Sequence, residues 1–237
     1  GRERDEAEVR HYFAALEVVD RLGQKTTKVT ENEIRTIHGL VMTGKPKPTR
    51  YRSEQNVIRD SRTGRTVYMP PEAKDVPWLM KELVTWVNDS VAEGELPVPV
   101  VAALSHYQFA TIHPYLDGNG RTARLLTNLL LHRSGYGLNG IYCLEEYYAT
   151  NLDKYYTGLD VGKSHNYYFG RVKGDVTPFV TNFCFGIAVA FTKVRAQAEE
   201  KSRSKPLDQS LILRELTPQQ RQALELFARM EGSRPAK

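Results

Sequence analysis

The stretch His113-Pro114-Tyr115-Leu116-Asp117-Gly118-Asn119-Gly120-Arg121-Thr122-Ala123-Arg124 decides how the rest of the chain is read. Upstream of it Tyr107, Phe109 and Ile112 form an apolar run. Pro114 removes a backbone donor and disfavours helical backbone at His113, so a helix should stop there and leave His113 at its mouth. Asp117 to Gly120 is turn-forming. Its glycines accept positive φ, and successive N–H groups can point into one concavity that binds anions. Downstream, Leu125, Leu126, Leu129 and Leu130 restore a helical period, so the nest is also a helix N-terminus with the positive end of its dipole. Arg121 and Arg124 then stand in a first turn that ordinarily prefers carboxylates. Their i,i+3 spacing puts both on one face, which points to a large anion between them. Asp117 is an acid beside a phosphate cradle, which makes sense if a hard cation such as Mg²⁺ bridges it to phosphate oxygens. The set reads as a base, a metal ligand, an oxyanion nest and two phosphate clamps.

Length and composition frame this site. A chain of 237 residues can form one large domain, or one domain with an appendage. Hydrophobic residues make up 41% and charged residues 26%, ordinary values for a chain with a real core. No run reaches the ~18 uncharged apolar residues that span a bilayer, and the charged start GRERDEAEVR does not resemble a signal peptide. The expected setting is therefore cytoplasmic and free of membrane. The net charge of +5 and pI of about 9.1 favour polyanions only in a general way, because the excess is spread over residues such as Arg50, Arg59 and Arg65. Cys143 and Cys184 lie in apolar neighbourhoods and read as buried free thiols. The chain has no internal repeat and no low-complexity tract.

The remaining chain reads as mostly helical. Residues 5–22 carry Val9, Phe13, Leu16, Val19 and Leu22 at helical steps. Thr30 and Glu33 make a capping box for a second helix whose buried stripe is Ile34, Ile37, Leu40 and Val41, and His38 in it reads as a satisfied core histidine. From Asp75 onward Trp78, Leu79, Leu83, Trp86 and Val87 predict a helix with both tryptophans inside. Further helices are predicted over 100–112, 121–133, 144–160 and 176–200. His106 stands seven residues before His113, but no third ligand accompanies them, which argues against a metal pair. Between 51 and 71 the text changes: Val57-Ile58 and Thr66-Val67-Tyr68 flank a turn-forming segment, which signals a β-hairpin. One hairpin in a helical chain is better explained as a flap than as core.

The stretch His113 to Arg124 resembles the signature HPFxDGNGRxxR of the Fic family, with Tyr115 in place of the usual Phe, and the likeness extends over roughly residues 9–200. The resemblance implies a mostly α Fic-type domain with a hairpin flap over its active site. It also implies transfer of AMP from Mg²⁺-ATP to a Tyr, Ser or Thr hydroxyl of a target protein or of the chain itself. In that scheme His113 deprotonates the hydroxyl, Asp117 holds Mg²⁺, and Asn119 with the backbone of Gly118 and Gly120 holds the α-phosphate. Arg121 takes the β-phosphate and Arg124 the γ-phosphate. Tyr51-Arg52 and Pro70-Pro71 match the family's bounds of the flap, so Val57, Ile58, Arg59, Val67 and Tyr68 are expected to align the target segment by strand addition. Asn151 and Tyr155-Tyr156 match an Asn followed by a Tyr-Tyr pair near the adenine, which makes Asn151 and Tyr155 nucleotide-pocket candidates.

The same resemblance leaves other activities open: removal of AMP by water, transfer of another phosphorylated group, or a nucleotide-sensing transcriptional regulator. Arg124 favours the AMP-donating orientation, because a second clamp is useful where β- and γ-phosphates trail into the helix. The domain plan is 1–200 for the Fic domain (N-terminal helices 1–50, flap 51–71, helical core 72–200), a linker at 201–216, and at 217–237 the start of a truncated winged-helix module. DNA would be a partner only if that module continued, and a homodimer is allowed. Many Fic proteins also carry an inhibitory pattern Ser/Thr-x-x-x-Glu-Gly/Asn. Thr27 to Asn32 matches it formally, but Thr30 and Glu33 explain that segment as a helix cap. The expectation is that Glu31 is not the inhibitory residue and that the chain is uninhibited, either because an upstream segment is absent or because a partner chain supplies the glutamate.

Overall fold

Helix boundaries in the computed structural model follow caps and proline positions. The structure describes residues 2–25, 27–59, 63–136, 147, 150–159, 165–169 and 174–203. In chain order these give α1 (Arg2–Gly23), α2 (Glu31–Thr43), β1 (Ile58–Arg59), β2 (Thr66–Tyr68), a short 3₁₀ turn (Ala73–Asp75), α3 (Val76–Glu93), α4 (Val98–Ile112) and α5 (Asn119–Leu131). A π-type turn (His132–Tyr136), α6 (Leu152–Leu159) and α7 (Thr177–Arg203) complete the list. The architecture is mostly helical with one small hairpin, as expected. Thr30 Oγ1 accepts from Glu33 N–H while Glu33 returns the bond to Thr30 N–H, so both orphan donors at the start of α2 are satisfied. α4 starts two residues earlier than its apolar run suggests, because Pro99 fits the first turn, where no N–H is required.

α5 is the central element and packs against α1, α2 and α4. Ala123, Leu125, Leu126, Leu129 and Leu130 are buried along it, meeting Phe109 and Ile112 of α4 and Ile34 and Ile37 of α2 in one core. The chain divides into two compact units, Gly1–Val194 and Arg195–Lys237. Of the second, the structure describes the end of α7, where Arg195 Nε donates to Glu199 Oε1 at 2.8 Å. The 201–216 linker beyond Arg203, the 217–237 segment, Cys143 and most of the 144–150 part of the predicted 144–160 helix lie outside the described residues. Among the described residues no helix is long and apolar enough to cross a membrane.

Two stripes read from periodicity are rotated in the fold. Trp78 is 61% exposed and Trp86 38%, because α3 turns Val76, Leu79, Met80, Leu83 and Val87 inward and each tryptophan precedes an inward residue by one position, a rotation of ~100°. In α1, Val9 and Phe13 are each 55% exposed, while Ala15, Leu16 and Val19 are buried. The inward line of α1 instead runs back through Tyr12 to Glu8. Cys184 is half-buried and free, and its surroundings push its thiol pKa up.

A polar chain crosses the core between α4, α5 and α6. His106 is fully buried, with Nδ1 3.0 Å from Thr127 Oγ1 and Nε2 3.0 Å from the Tyr155 hydroxyl. Thr127 donates its own proton to the Ala123 carbonyl at 3.0 Å. With the Thr127 proton on Ala123 O, Nδ1–H donates to Thr127, and a neutral imidazole accepts from the Tyr155 hydroxyl at Nε2. Burial, reinforced by the charge of Arg124, lowers the His106 pKa to about 3 in agreement with this. Tyr155→Phe should therefore destabilise the protein by about 1–3 kcal/mol, since Nε2 would be left buried without a donor. Chemical denaturation measures this, and ATP affinity of the folded variant should stay unchanged.

Candidate active site

His113 is the C-cap of α4 and adopts left-handed backbone, φ 52° and ψ 59°, the only non-glycine residue with positive φ among those described. Pro114 alone would favour extended backbone before it. The left-handed turn wins because three contacts hold it. His113 N–H donates to Phe109 O at 3.0 Å, Arg52 Nε donates to His113 O at 2.9 Å, and Arg52 N–H donates to Pro114 O at 2.9 Å. Such a conformation costs about 1–3 kcal/mol and persists where its surroundings over-determine it, commonly at functional sites. His113 Nδ1 lies 3.3 Å from the Ala110 carbonyl, which can only accept. The proton is therefore on Nδ1, and Nε2 keeps its lone pair. Burial drops the His113 pKa to about 4; the Ala110 hydrogen bond opposes this and the charge of Arg52 adds to it. The imidazole is neutral at pH 7.

The loop that follows is built on α2. His38 stacks on Tyr115 with ring centroids 3.5 Å apart and planes 5° from parallel. Its Nε2 is 3.0 Å from the Asp117 carbonyl and Nδ1 is 2.8 Å from Thr49 Oγ1. Gly118 has φ 77°, and a Cβ there would stand 2.8 Å from Met42 Sδ and 3.3 Å from His38 Nε2, so both conformation and close approach require glycine. Gly118 caps α5 without a side-chain cap, which leaves the first-turn amides of α5, including that of Gly120, without intrahelical acceptors. Gly120 itself is uncrowded: a Cβ there would come within 3.6 Å of Arg124 Nη1 alone.

The polar side chains of the motif are not all turned to one place. Asp117 Oδ1 accepts from Gly118 N–H at 2.6 Å and lies 3.5 Å from Arg121 Nη2, and about half of the side chain remains open to solvent. Arg121 Nη1 also donates to Glu8 Oε2 of α1 at 3.0 Å. The Arg124 guanidinium carbon lies 5.9 Å from the centre of the Tyr12 ring. Asn119 turns its amide to the loop, accepting from Tyr115 N–H (3.0 Å) and donating to Tyr115 O (2.8 Å). It is buried and holds the loop closed, leaving its backbone for an anion.

The flap and the adenine candidates are placed more loosely. β1 and β2 pair antiparallel, Ile58 with Tyr68 and Arg59 with Thr66, with an irregularity between them. Arg59 and Val67 are exposed and Val57 is half-buried. Tyr68 points inward instead of toward a target, donating to the Thr111 carbonyl at 2.6 Å. Met69 N–H donates to His165 O and Tyr167 N–H to Met69 O, so residues 165–167 cover the edge just beyond β2. Asn151 is half-buried and donates to Tyr147 O and Thr150 Oγ1. The Tyr155 hydroxyl lies 3.0 Å from His106 Nε2 in the core.

Four positioning residues escaped sequence reasoning: Arg52, His38, Glu8 and Tyr12. Arg52 alone carried a signal, as a charged residue in the Tyr-Arg pair at the flap boundary. Glu31 accepts from the Tyr51 hydroxyl at 3.0 Å. Among the described residues there is no group of three or more acidic, His or Cys side chains arranged for a metal. Mg²⁺ does not require one, since it commonly takes one or two carboxylates and completes its shell with waters and substrate phosphates. An open Asp117 beside an anion nest fits that mode.

Comparison with known proteins agrees with this geometry. A model of the Fic/DOC family matches residues 28–131. The chain is 39% identical over 116 residues to "Protein adenylyltransferase Fic" of Nematostella vectensis, 48% of this chain and 25% of that protein. It is 34% identical over 168 residues to the protein of the same name from Aedes aegypti, 70% of this chain and 30% of that protein. The chain thus spans less than a third of the length of these relatives. Among solved structures, a Fic domain containing signaling protein from Bacteroides thetaiotaomicron VPI-5482 superposes with a TM-score of 0.64 at 28% identity, covering 81% of this chain and 73% of that one. The matched segment contains every residue from His113 to Arg124, and over residues 28–131 the chain is similar to the Fic/DOC family.

Proposed function

We propose that this chain transfers AMP from ATP to a hydroxyl of a protein, with His113 as general base. The observation that carries the reading is a neutral imidazole whose Nε2 lone pair is available at the mouth of α4, beside the amide-lined start of α5. The target hydroxyl gives its proton to Nε2 as its oxygen bonds to the α-phosphorus. The bond from that phosphorus to the oxygen bridging to the β-phosphate breaks, and pyrophosphate departs. The amides at the start of α5, with the backbone of Gly118 and Gly120, would receive the growing charge on the α-phosphate, and Arg121 and Arg124 would hold the leaving phosphates. Mg²⁺ held by Asp117 would supply neutralising charge between phosphates. The relatives' name, protein adenylyltransferase, supports the same reading.

Incubation with Mg²⁺ and ATP labelled at either the α- or the γ-phosphate tests the proposal. Label should enter protein from the α-position alone; γ-label incorporation would indicate a different transferred group, and no incorporation from either would reject the reading. His113→Ala should lower transfer by about 10²–10⁴-fold with ATP affinity nearly intact, because a general base acts on the transition state. Asp117→Ala should raise the Mg²⁺ concentration needed for half-maximal transfer; an unchanged Mg²⁺ titration would remove the metal role. The acid limb of the pH profile gives a sharper check. The base works when neutral, so activity is present above its pKa and lost as pH falls through it. With burial holding His113 at about 4, kcat/KM should stay level through pH 6 and fall near 4. A midpoint near the ordinary histidine value of ~6.5 would contradict the buried, neutral base.

A further inference from the structure

The inward line of α1 that buries Ala15, Leu16 and Val19 ends, toward the start of the helix, in Tyr12 and Glu8. Val9 and Phe13 are left 55% exposed, whereas Glu8 and Tyr12, one position earlier in each case, face α5. Glu8 and Tyr12 are four residues apart on one face of α1, and they meet the two arginines three residues apart on one face of α5. Glu8 Oε2 takes Arg121 Nη1 at 3.0 Å, and the Tyr12 ring centre lies 5.9 Å from the Arg124 guanidinium carbon. Only 19% of the Arg121 side chain is exposed, so the ion pair is partly shielded from water. Both α1 residues also lie outside the segment 28–131 that matches the family model.

We propose that Glu8 and Tyr12 are positioning residues that orient Arg121 and Arg124 for the phosphates of the nucleotide. The proposal rests on the phosphate-clamp role given to the two arginines above. A guanidinium has five donors in a rigid fork. Glu8 occupies the Nη1 edge, which fixes the plane of the fork and leaves Nε and Nη2 for an anion once Asp117 turns to a cation. Tyr12 sets the second fork by its ring face and competes for none of its donors. Placing a charged residue where the helix could have buried Val9 makes sense when that charge has a task at α5.

Isothermal titration of the full chain with Mg²⁺-ATP, using Glu8→Ala, Glu8→Gln, Arg121→Ala and the double variant Glu8→Ala/Arg121→Ala, tests this. Glu8→Ala should weaken binding by up to about fivefold, the upper end for a partly exposed ion pair. Glu8→Gln keeps an acceptor for Nη1 and should stay within about twofold of wild type. In the Arg121→Ala background Glu8→Ala should have no further effect, since positioning acts only through the arginine. Tyr12→Phe should bind as wild type, and Tyr12→Ala should weaken binding. An equal loss from Glu8→Ala with and without Arg121 would mean a purely structural role and overturn the proposal. So would unchanged binding, or tighter binding, which would make Glu8 a competitor of phosphate. A wild-type chain that fails to bind Mg²⁺-ATP would overturn the proposed function and this inference together, whereas a failure confined to the Glu8 and Tyr12 variants removes this inference alone.

Discussion

Arg52 is the contact on which the site depends. Its guanidinium is almost fully buried, and it answers that cost with three carbonyls: His113, Glu54 and Pro71. Its own N–H reaches Pro114 O. One side chain thereby ties both ends of the hairpin segment to the break between α4 and the motif loop. Without these bonds the carbonyls would be buried and unpaired, and His113 would lose the partners that hold it in left-handed backbone. The residue that directs the proposed base is thus supplied by the flap, so the flap and the imidazole cannot move independently.

α5 gives the site its rigidity and its charge in one element. Its apolar face is locked into the core by Leu125, Leu126, Leu129 and Leu130, and its first turn projects amides and two arginines from that fixed base. The loop leading to it is clamped from below by the His38–Tyr115 stack and by the bond to the Asp117 carbonyl, and closed on itself by Asn119. The side chain of Asp117 lies against Gly118 N–H and near Arg121 at the edge of this fixed base. Preorganised donors of this kind cost little reorganisation when charge develops.

The buried chain Tyr155–His106–Thr127 joins α4, α5 and α6 through polar groups inside the core. A tyrosine pair after an asparagine and a histidine one heptad before His113 both look chemical when written out. In the fold each satisfies the other, and the imidazole is held neutral by its burial. The exposed tryptophans of α3 are the converse: apolar residues at helical spacing that lie just off the inward face.

Local rules determined much of this protein. Pro114 ends α4, Thr30 and Glu33 start α2, Gly118 turns the chain into α5, and the run of leucines after Arg124 carries that helix on, because each depends on neighbours within a turn or two of chain. The candidate base, acid, glycines and arginines were legible for the same reason: they are contiguous. What only the tertiary structure decided is which partners arrive from far away. Arg52, His38, Glu8 and Tyr12 reach the motif from 61 or more positions away in sequence, and a helical period does not encode them. Nor could periodicity settle the rotation of α1 or the fate of Asn119 and Tyr155, since a polar side chain goes where its hydrogen-bonding partners are, and those partners are brought together by packing.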